Sequence, residues 1–532
     1  MAVTAALSLG TRERTVNPFL PSYEMVPDGE PRVFGDRVYL YGSHDLNGGS
    51  DFCEGDYVCY SAALDDLSAW RYDGVIYERR QDPFIAAQLA RGKQGMTTTR
   101  LFAPDVIELD GRYFMYYGVG LSKSGFGVAV SDSPTGPFEY VGRVRLPEEA
   151  KPAGWVDGAD GIVDGDLAFG EGRGPISRGR LRFADYPYDP AVLLHEGRLF
   201  LYFGLLNCSV IELDRTDNRT VVPDRATGEY VTPVIRQSLA RAVRARSAAA
   251  HGATAFMNGP SIREVDGRFV LSYWAMGGAG FSGMYHAVAD APRGPFVPAG
   301  PLVALGNAWK QPKPTYPGGN THGGMFEADG RWYQVFHRHT ADGRQACVAP
   351  LTRRGDGAFE QADSSSLGFS DEPLDAFALW PAYIACHLTA PRKRNRPAMR
   401  LRDHELGDID PGTGRRTLQV LANTRSGAVA GFEVLDFGED DPAAALSVDI
   451  DPEGEGAIEV RLDTPNGRLI STVVVPASTV GRGWTRLHAP VVGVSGVHPV
   501  FLVFRPRRGR LGDVAAFGFR ALAGHGRRAV AG

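Results

Sequence analysis

The chain predicts an all-β protein, a five-bladed β-propeller followed by a β-sandwich of jelly-roll type, and three observations carry that prediction. First, five segments repeat a turn of acidic residue or Gly, then Gly or Asp, then Arg, followed by an aromatic and aliphatic run. They read GDRVYLYGS (35–43), DGRYFMYYG (110–118), EGRLFLYFG (196–204), DGRFVLSYW (266–274) and DGRWYQVFH (329–337). Each is preceded by another apolar run, such as DVIEL (105–109) or PSIRE (260–264), and strand, Asp-Gly-type turn, strand is a strong hairpin signal. Five hairpins roughly 60 to 90 residues apart mark a radial repeat. Second, AVSDSPTGPFEYVG (129–142) and AVADAPRGPFVPAG (287–300) close the second and fourth units almost identically. Third, the C-terminal stretch alternates hydrophobic and polar residues in short runs, GAIEVRLDT, RLISTVVVP, HPVFLVFRP and AAFGFRAL, the pattern of a sandwich.

Taken in order, the propeller is expected over 17–389, with blade 1 at about 28–75. Between blades 2 and 3 a Gly- and Asp-rich insert (148–180) reads as a surface loop. Its DGADGIVDGD run lacks the spacing and closing Glu of an EF-hand loop. The basic, Pro-containing stretch APRKRNRPAMR (390–400) reads as a linker, and the sandwich is expected over 401–525. Two domains suit 532 residues, more than one ordinary core accommodates.

A net charge of −5 supplies no basic field, which argues against nucleic acid or an anionic membrane as partner. No segment approaches a membrane span. The N-terminus lacks the basic and apolar regions of a signal peptide, so a cytoplasmic location is expected. The five Cys (53, 59, 208, 347, 386) form no CxxC pair and read as reduced, buried thiols, with Cys53–Cys59 as the alternative pairing.

A propeller gathers one short segment from every blade around its axis. Six to nine residues before each turn Gly, just ahead of an apolar strand, stand Asp28, Asp105, Asp189, Asn258 and His322. Any one of them alone reads as a turn or cap residue. Five polar residues at one phase of the repeat form a convergent site of carboxylates, an amide and a His. If first strands leave that face, second strands return to it and bring His44, Asp45, Asn207, Trp274, His337 and Arg338 to the rim.

NPFLPSYEMVPDGEPRVFGDRVYLYGSHD, APDV, YDPAV, GPSIR and GNTHGG…DGRWYQVFHRH, spread over about 17–385, resemble glycoside hydrolase family 43. GAIEVRLDTPNG (456–467), GRGWTRL (481–487) and VSGVHPVFLVF (494–504) resemble a family 6 carbohydrate-binding module, in which Trp484 is either the sugar-facing aromatic or a core residue. The resemblance implies an exo-acting, inverting glycosidase on arabinofuranosides, xylosides or related glycosides. Asp28 matches the general base and Asp105 the carboxylate that tunes the acid. His322 matches the axial His beside a bound calcium ion or water. No cofactor is required, a structural calcium at the axis apart, and the partner is an oligosaccharide or glycoside. His44, Asp45, Asp189, Asn207, Trp274 and Arg338 are the candidate substrate contacts, with Trp274 as a stacking platform or core aromatic, and Arg338 as a sugar ligand or an inter-blade ion pair.

The chain departs from the family at blade 4, where the general acid is a Glu and this sequence has Asn258. An amide donates a hydrogen bond but delivers no proton, and a positioned general acid is worth about 10²–10⁴ in rate. Glu264, six residues along the strand, lies about 20 Å away. Glu30 belongs to the local PDGEP pattern and reads as structural, whereas Asp157, Asp160, Asp164 or Asp166 on the insert could reach over the site. The alternatives are a carbohydrate-binding propeller without turnover and a glycosyl-transferring variant.

Overall fold

The computed structural model describes residues 16–96, 98–120, 125–147, 149, 188–205, 207–235, 255–276, 282–305, 320–389, 400–409, 416–439 and 443–521. The insert carboxylates Asp157, Asp160, Asp164 and Asp166 and most of the linker lie outside them.

Five antiparallel sheets follow one another along the chain, each starting with one of the sequence hairpins. Blade 1 runs Glu30–Phe34, Arg37–Tyr41, Tyr57–Ala63 and Asp66–Tyr77 in that spatial order. Blade 2 runs Leu101–Leu109, Arg112–Val119, Phe126–Ser131 and Glu139–Arg143, and blade 3 opens with Ala191–His195, Arg198–Phe203 and Cys208–Leu213. Blade 4 contains Ala255–Val265, Arg268–Met276, Ser282–Ala289 and Val297–Ala304; blade 5 contains Met325–Ala328, Arg331–His339 and Arg344–Leu351. The turn Asp and Glu residues 110, 196, 266 and 329 and the Gly after each all take positive φ, as a two-residue hairpin turn requires of both positions.

Hydrophobic cores lie between neighbouring blades. Tyr41 and Tyr57 meet Met115 and Tyr117 between blades 1 and 2, Tyr116 and Val128 meet Leu199 and Leu201 between blades 2 and 3, and Phe200 and Tyr202 meet Phe269 and Leu271 between blades 3 and 4. The ring closes where Val38 and Leu40 of blade 1 pack on Val335 and Ala346 of blade 5. A side chain seals it. Asn17 Nδ2 donates to the Val348 carbonyl at 2.7 Å, and Asn17 Oδ1 accepts from the Val348 N–H at 2.8 Å, so the amide imitates a strand partner across 331 residues of chain.

The sandwich is two sheets. Val429–Asp436, Val497–Pro506, Gly456–Leu462 and Leu469–Val475 are neighbours in one; Arg400–Ile409, Arg416–Ala422, Gly512–Ala521, Ala443–Pro452 and Thr485–Pro490 are neighbours in the other. Short segments Leu374–Asp375 and His387–Thr389 join the first sheet and Trp380–Pro381 joins the second. The stretch 374–389, placed with the propeller by its position before the linker, therefore belongs structurally to the sandwich. Trp484 packs partly buried against the sandwich core. All five cysteines are free and buried, and no described helix is long and apolar enough to cross a membrane.

Candidate active site

Blades 1 and 5 meet at the axis through a parallel bridge between Gly29 and Gly323. The junction sets Asp28 beside His322, whose Nδ1 lies 3.6 Å from Asp28 Oδ1 and 3.8 Å from Asp189 Oδ2. Asp28 and Asp189 both hold positive φ, +59° and +50°, strained for a side chain larger than Gly but tolerated by Asp. On the blade 4 side the backbone N–H of Gly259 donates to Asp189. Gly259 takes φ +67°, and a Cβ there would stand 2.5 Å from the His322 ring. Asn258, one residue back, thus borders the same group. It is 7 % exposed, and its Oδ1 is buried without a hydrogen-bond partner.

Arg344, which opens the third strand of blade 5, is the cation of the site. Its Nη1 lies 3.2 Å from Asp28 Oδ1, while Nε and Nη2 donate to the two oxygens of Asp45 at 2.9 and 2.8 Å. His337 Nδ1 lies 3.2 Å from both the backbone N and Oδ1 of Asp28. Burial works to raise the Asp28 carboxyl, but Arg344, His337 and His322 outweigh it and hold the group well below the ordinary carboxylate range. Asp189 goes the other way: burial and the Asp28 charge push it well above that range, against weaker pulls from Arg344 and the Gly259 N–H. Burial lowers His322 to about 4, despite Asp28. Two carboxyls on one neutral imidazole are thus driven apart, the arrangement that separates a base from an acid.

Several expected positions take other roles. Asp105 is fully buried and bound by Arg32, whose Nε donates to Oδ1 at 2.8 Å and whose Nη2 donates to Oδ2 at 2.5 Å, while the Val192 N–H donates to Oδ2 at 2.7 Å. It joins blades 1, 2 and 3, seated opposite Tyr116 and six residues before its turn Gly, where Asp28, Asp189, Asn258 and His322 stand seven to nine before theirs. Asp45 holds Arg344 and accepts from the Cys53 N–H at 2.8 Å, a supporting position in place of a sugar contact. Arg338 points to the opposite side of its strand from His337, where it donates to the carbonyls of Tyr383 at 2.6 Å and Ala385 at 3.0 Å. It fastens the propeller to the sandwich. His44 is turned to the Asp56 carbonyl at 2.9 Å and to Glu24. Asn207 is partly exposed after the second strand of blade 3, its carbonyl against Gly204. Trp274, partly exposed, pairs in register with Asn258.

The other carboxylates near the acid position are committed elsewhere. Glu30 accepts from Ser261 Oγ at 2.9 Å and Arg263 Nη2 at 2.6 Å within the propeller, and Glu264 meets His195 Nδ1 at 2.9 Å. A calcium ion takes about six to eight oxygen ligands at 2.3–2.6 Å. Beside His322 stand two carboxylates, one of them already faced by a guanidinium, and among the described residues no group of three or more His, Cys, Asp or Glu could hold a metal ion. The residues do not fit a calcium ion.

A propeller that sets two carboxyls with opposed shifts against one His at its axis defines a site equipped for acid–base chemistry. Residues 21–173 match Glycosyl hydrolases family 43, and 408–521 match Carbohydrate binding module (family 6). The chain is 33 % identical over 519 residues to a "Xylosidase/arabinosidase" of Thermoclostridium stercorarium, covering 93 % of this chain and 97 % of that protein. It is 22 % identical to an "Arabinoxylan arabinofuranohydrolase" of Paenibacillus polymyxa (91 % of this chain, 69 % of that one) and 22 % identical to one of Bacillus subtilis (92 % and 89 %). The chain belongs to glycoside hydrolase family 43 and is a glycoside hydrolase.

Proposed function

We propose that this enzyme is an inverting, exo-acting glycosidase on arabinofuranosides and xylosides, with Asp28 as the base that activates water. The observation that carries the reading is Asp28 itself, faced by Arg344 and His337 where blades 1 and 5 meet. The relatives' names, xylosidase/arabinosidase and arabinoxylan arabinofuranohydrolase, support the sugar class. Water attacks the anomeric carbon and Asp28 takes its proton; the glycosidic bond breaks and the leaving oxygen needs a proton in return. Asn258 cannot supply it. Asp189 is the carboxyl whose protonated form burial and the Asp28 charge favour, and it accepts from the N–H of Gly259, the residue after Asn258. Its Oδ2 lies 3.8 Å from the same His322 nitrogen that stands 3.6 Å from Asp28 Oδ1, so the two oxygens are no farther apart than the lower part of the roughly 6.5–9.5 Å spacing of an inverting pair. Asp189, in place of Asp105, is therefore the second carboxyl of the proposed mechanism.

A second reading, binding without turnover, is favoured by Asn258, since an amide at the acid position costs about 10²–10⁴ in rate where nothing replaces it. The test is a panel of nitrophenyl arabinofuranosides, xylosides, galactosides and fructosides, comparing wild type with Asp28→Ala. Turnover of the first two, abolished in the variant, is the expected result. Absence of turnover on every sugar, with binding retained in calorimetry, would establish the second reading.

A further inference from the structure

The turn 339–344, between the second and third strands of blade 5, presents Arg344 to Asp28, and its outer side is tied to the sandwich. Within the turn the Thr340 N–H donates to the Gly343 carbonyl at 2.8 Å, and the Asp342 N–H donates to Thr340 Oγ1 at 3.0 Å. The Ala341 N–H points outward and donates to the Leu401 carbonyl at 2.8 Å. Leu401 is buried in the sandwich strand Arg400–Ile409. Just before the turn stands Arg338, held by the Tyr383 and Ala385 carbonyls; it pairs in register with Gln345, the residue after Arg344.

The second hold on the cation reaches the same sheet. Asp45, which grips Arg344, lies in the loop 42–56 between the second and third strands of blade 1. In that loop the Gly48 N–H donates to the Asp342 carbonyl at 3.2 Å, and Asn47 Nδ2 makes a longer contact with Thr417 Oγ1 at 3.5 Å. Gln419 Nε2 stands 3.5 Å from Asp342 Oδ2. Thr417 and Gln419 are both buried, two residues apart in the strand Arg416–Ala422, which pairs with Arg400–Ile409. Period 2 puts them on one face. Domains joined by a linker move against each other by default; here both segments that grip the cation are fastened to adjacent strands of the neighbouring domain. Charge attraction in a buried place is stronger than in water and falls with distance, so a small displacement of the turn is felt at Asp28.

Resting on the reading of Asp28 as the base, we propose that the sandwich is part of the catalytic unit. Its second sheet holds the turn 339–344 and the loop 42–56 in the register that brings Arg344 onto Asp28, with Ala341 as the positioning residue. This role needs no sugar on the sandwich.

Ala341→Pro removes the N–H that meets Leu401. The Ala341 side chain is exposed, so the ring displaces no packed neighbour, and Ala341→Ser keeps the N–H. Asn47→Ala combined with Gln419→Ala loosens the two longer contacts without altering the backbone. The experiment measures kcat and KM on nitrophenyl arabinofuranoside across pH for these full-length variants, each in the wild-type and the Arg344→Lys background, with thermal melting to confirm folding. Ala341→Pro is expected to lower kcat by about 2- to 12-fold, the worth of one hydrogen bond, with KM within about twofold. Its acid limb moves to higher pH, and it costs little further in Arg344→Lys. The double variant shifts the same quantities in the same direction by less, and Ala341→Ser matches wild type. Unchanged kcat and acid limb in both folded loosening variants overturn the proposal. So does an equal loss in the two backgrounds, which would mean a general loosening and no action through Arg344. Should Ala341→Pro fail to fold, the double variant decides. Turnover surviving Asp28→Ala would refute the base, while the comparison of backgrounds still decides whether the sandwich positions Arg344.

Discussion

Arg344 reaches Asp28 with one guanidinium nitrogen at 3.2 Å while its other two nitrogens grip Asp45 at 2.8 and 2.9 Å. The fork is the reason Asp28 stays ionised in a buried place, since the single charge is fixed by Asp45 and cannot swing away. Asp45, on blade 1, is thereby as much a part of the base as Arg344 on blade 5.

Arg344→Lys keeps a charge and loses the fork. The Asp28 carboxyl then rises toward its ordinary range, and the acid limb of kcat/KM on a nitrophenyl glycoside is expected to move to higher pH. Stability follows the same sign. Asp28 is depressed in the fold, so its contribution is present above the unfolded carboxylate value and lost as pH falls through the folded one. The variant should lose less stability on acidification than wild type, as read by melting temperature across pH 3 to 7.

Asp105→Asn leaves Arg32 buried opposite an uncharged amide, and breaking a buried pair costs about 3–5 kcal/mol. The melting temperature is expected to fall strongly while kcat of the folded enzyme changes little. Asp189→Asn should reverse the two effects, with a large loss of kcat on methyl arabinofuranoside and a smaller shift in melting. Equal behaviour of the two variants in both assays would refute the exchange of roles argued here.

Gly259→Ala places a methyl 2.5 Å from the His322 ring at φ +67°. A non-Gly residue held in that region costs roughly 1–3 kcal/mol, and the displaced imidazole no longer bridges Asp28 and Asp189. Loss of activity beyond the loss of stability is expected. It is checked by kinetics below the variant's melting point.

Asn17→Ala removes both hydrogen bonds to Val348 and exposes the ring seam. An unsatisfied buried partner costs about 1–3 kcal/mol, read as a lower midpoint in urea with an unchanged active site.

The five hairpins were legible because a turn requiring positive φ at two positions leaves its mark in composition, and all five Asp-, Glu- or Gly-led turns begin sheets. Asp28, Asp189 and His322 were legible for the same reason, standing just ahead of a first strand. Asp105 takes another place because it stands six residues before its turn Gly, one to three fewer than the others, which carries it further into the blade. The direction of Arg338 follows from period 2: His337 meets Asp28, so its neighbour faces the other side, toward the Tyr383 and Ala385 carbonyls. Arg344 gave no signal, because it opens a third strand, where the blades do not repeat. The strands at 374–389 were hidden for a related reason, being short and defined by their partners in the sandwich.

The most direct test of the central claim, a working base at Asp28 with Asp189 supplying the proton that the amide of Asn258 cannot, is the dependence of rate on the leaving group in wild type and Asp189→Asn. Nitrophenyl arabinofuranoside needs little protonation, whereas methyl arabinofuranoside needs a full proton. The account predicts that Asp189→Asn slows the methyl glycoside by about 10²–10⁴, leaves the nitrophenyl glycoside within a few-fold, and loses both activities when Asp28→Ala is added. Undiminished turnover of the methyl glycoside in a folded Asp189→Asn enzyme, or turnover surviving Asp28→Ala, would contradict it.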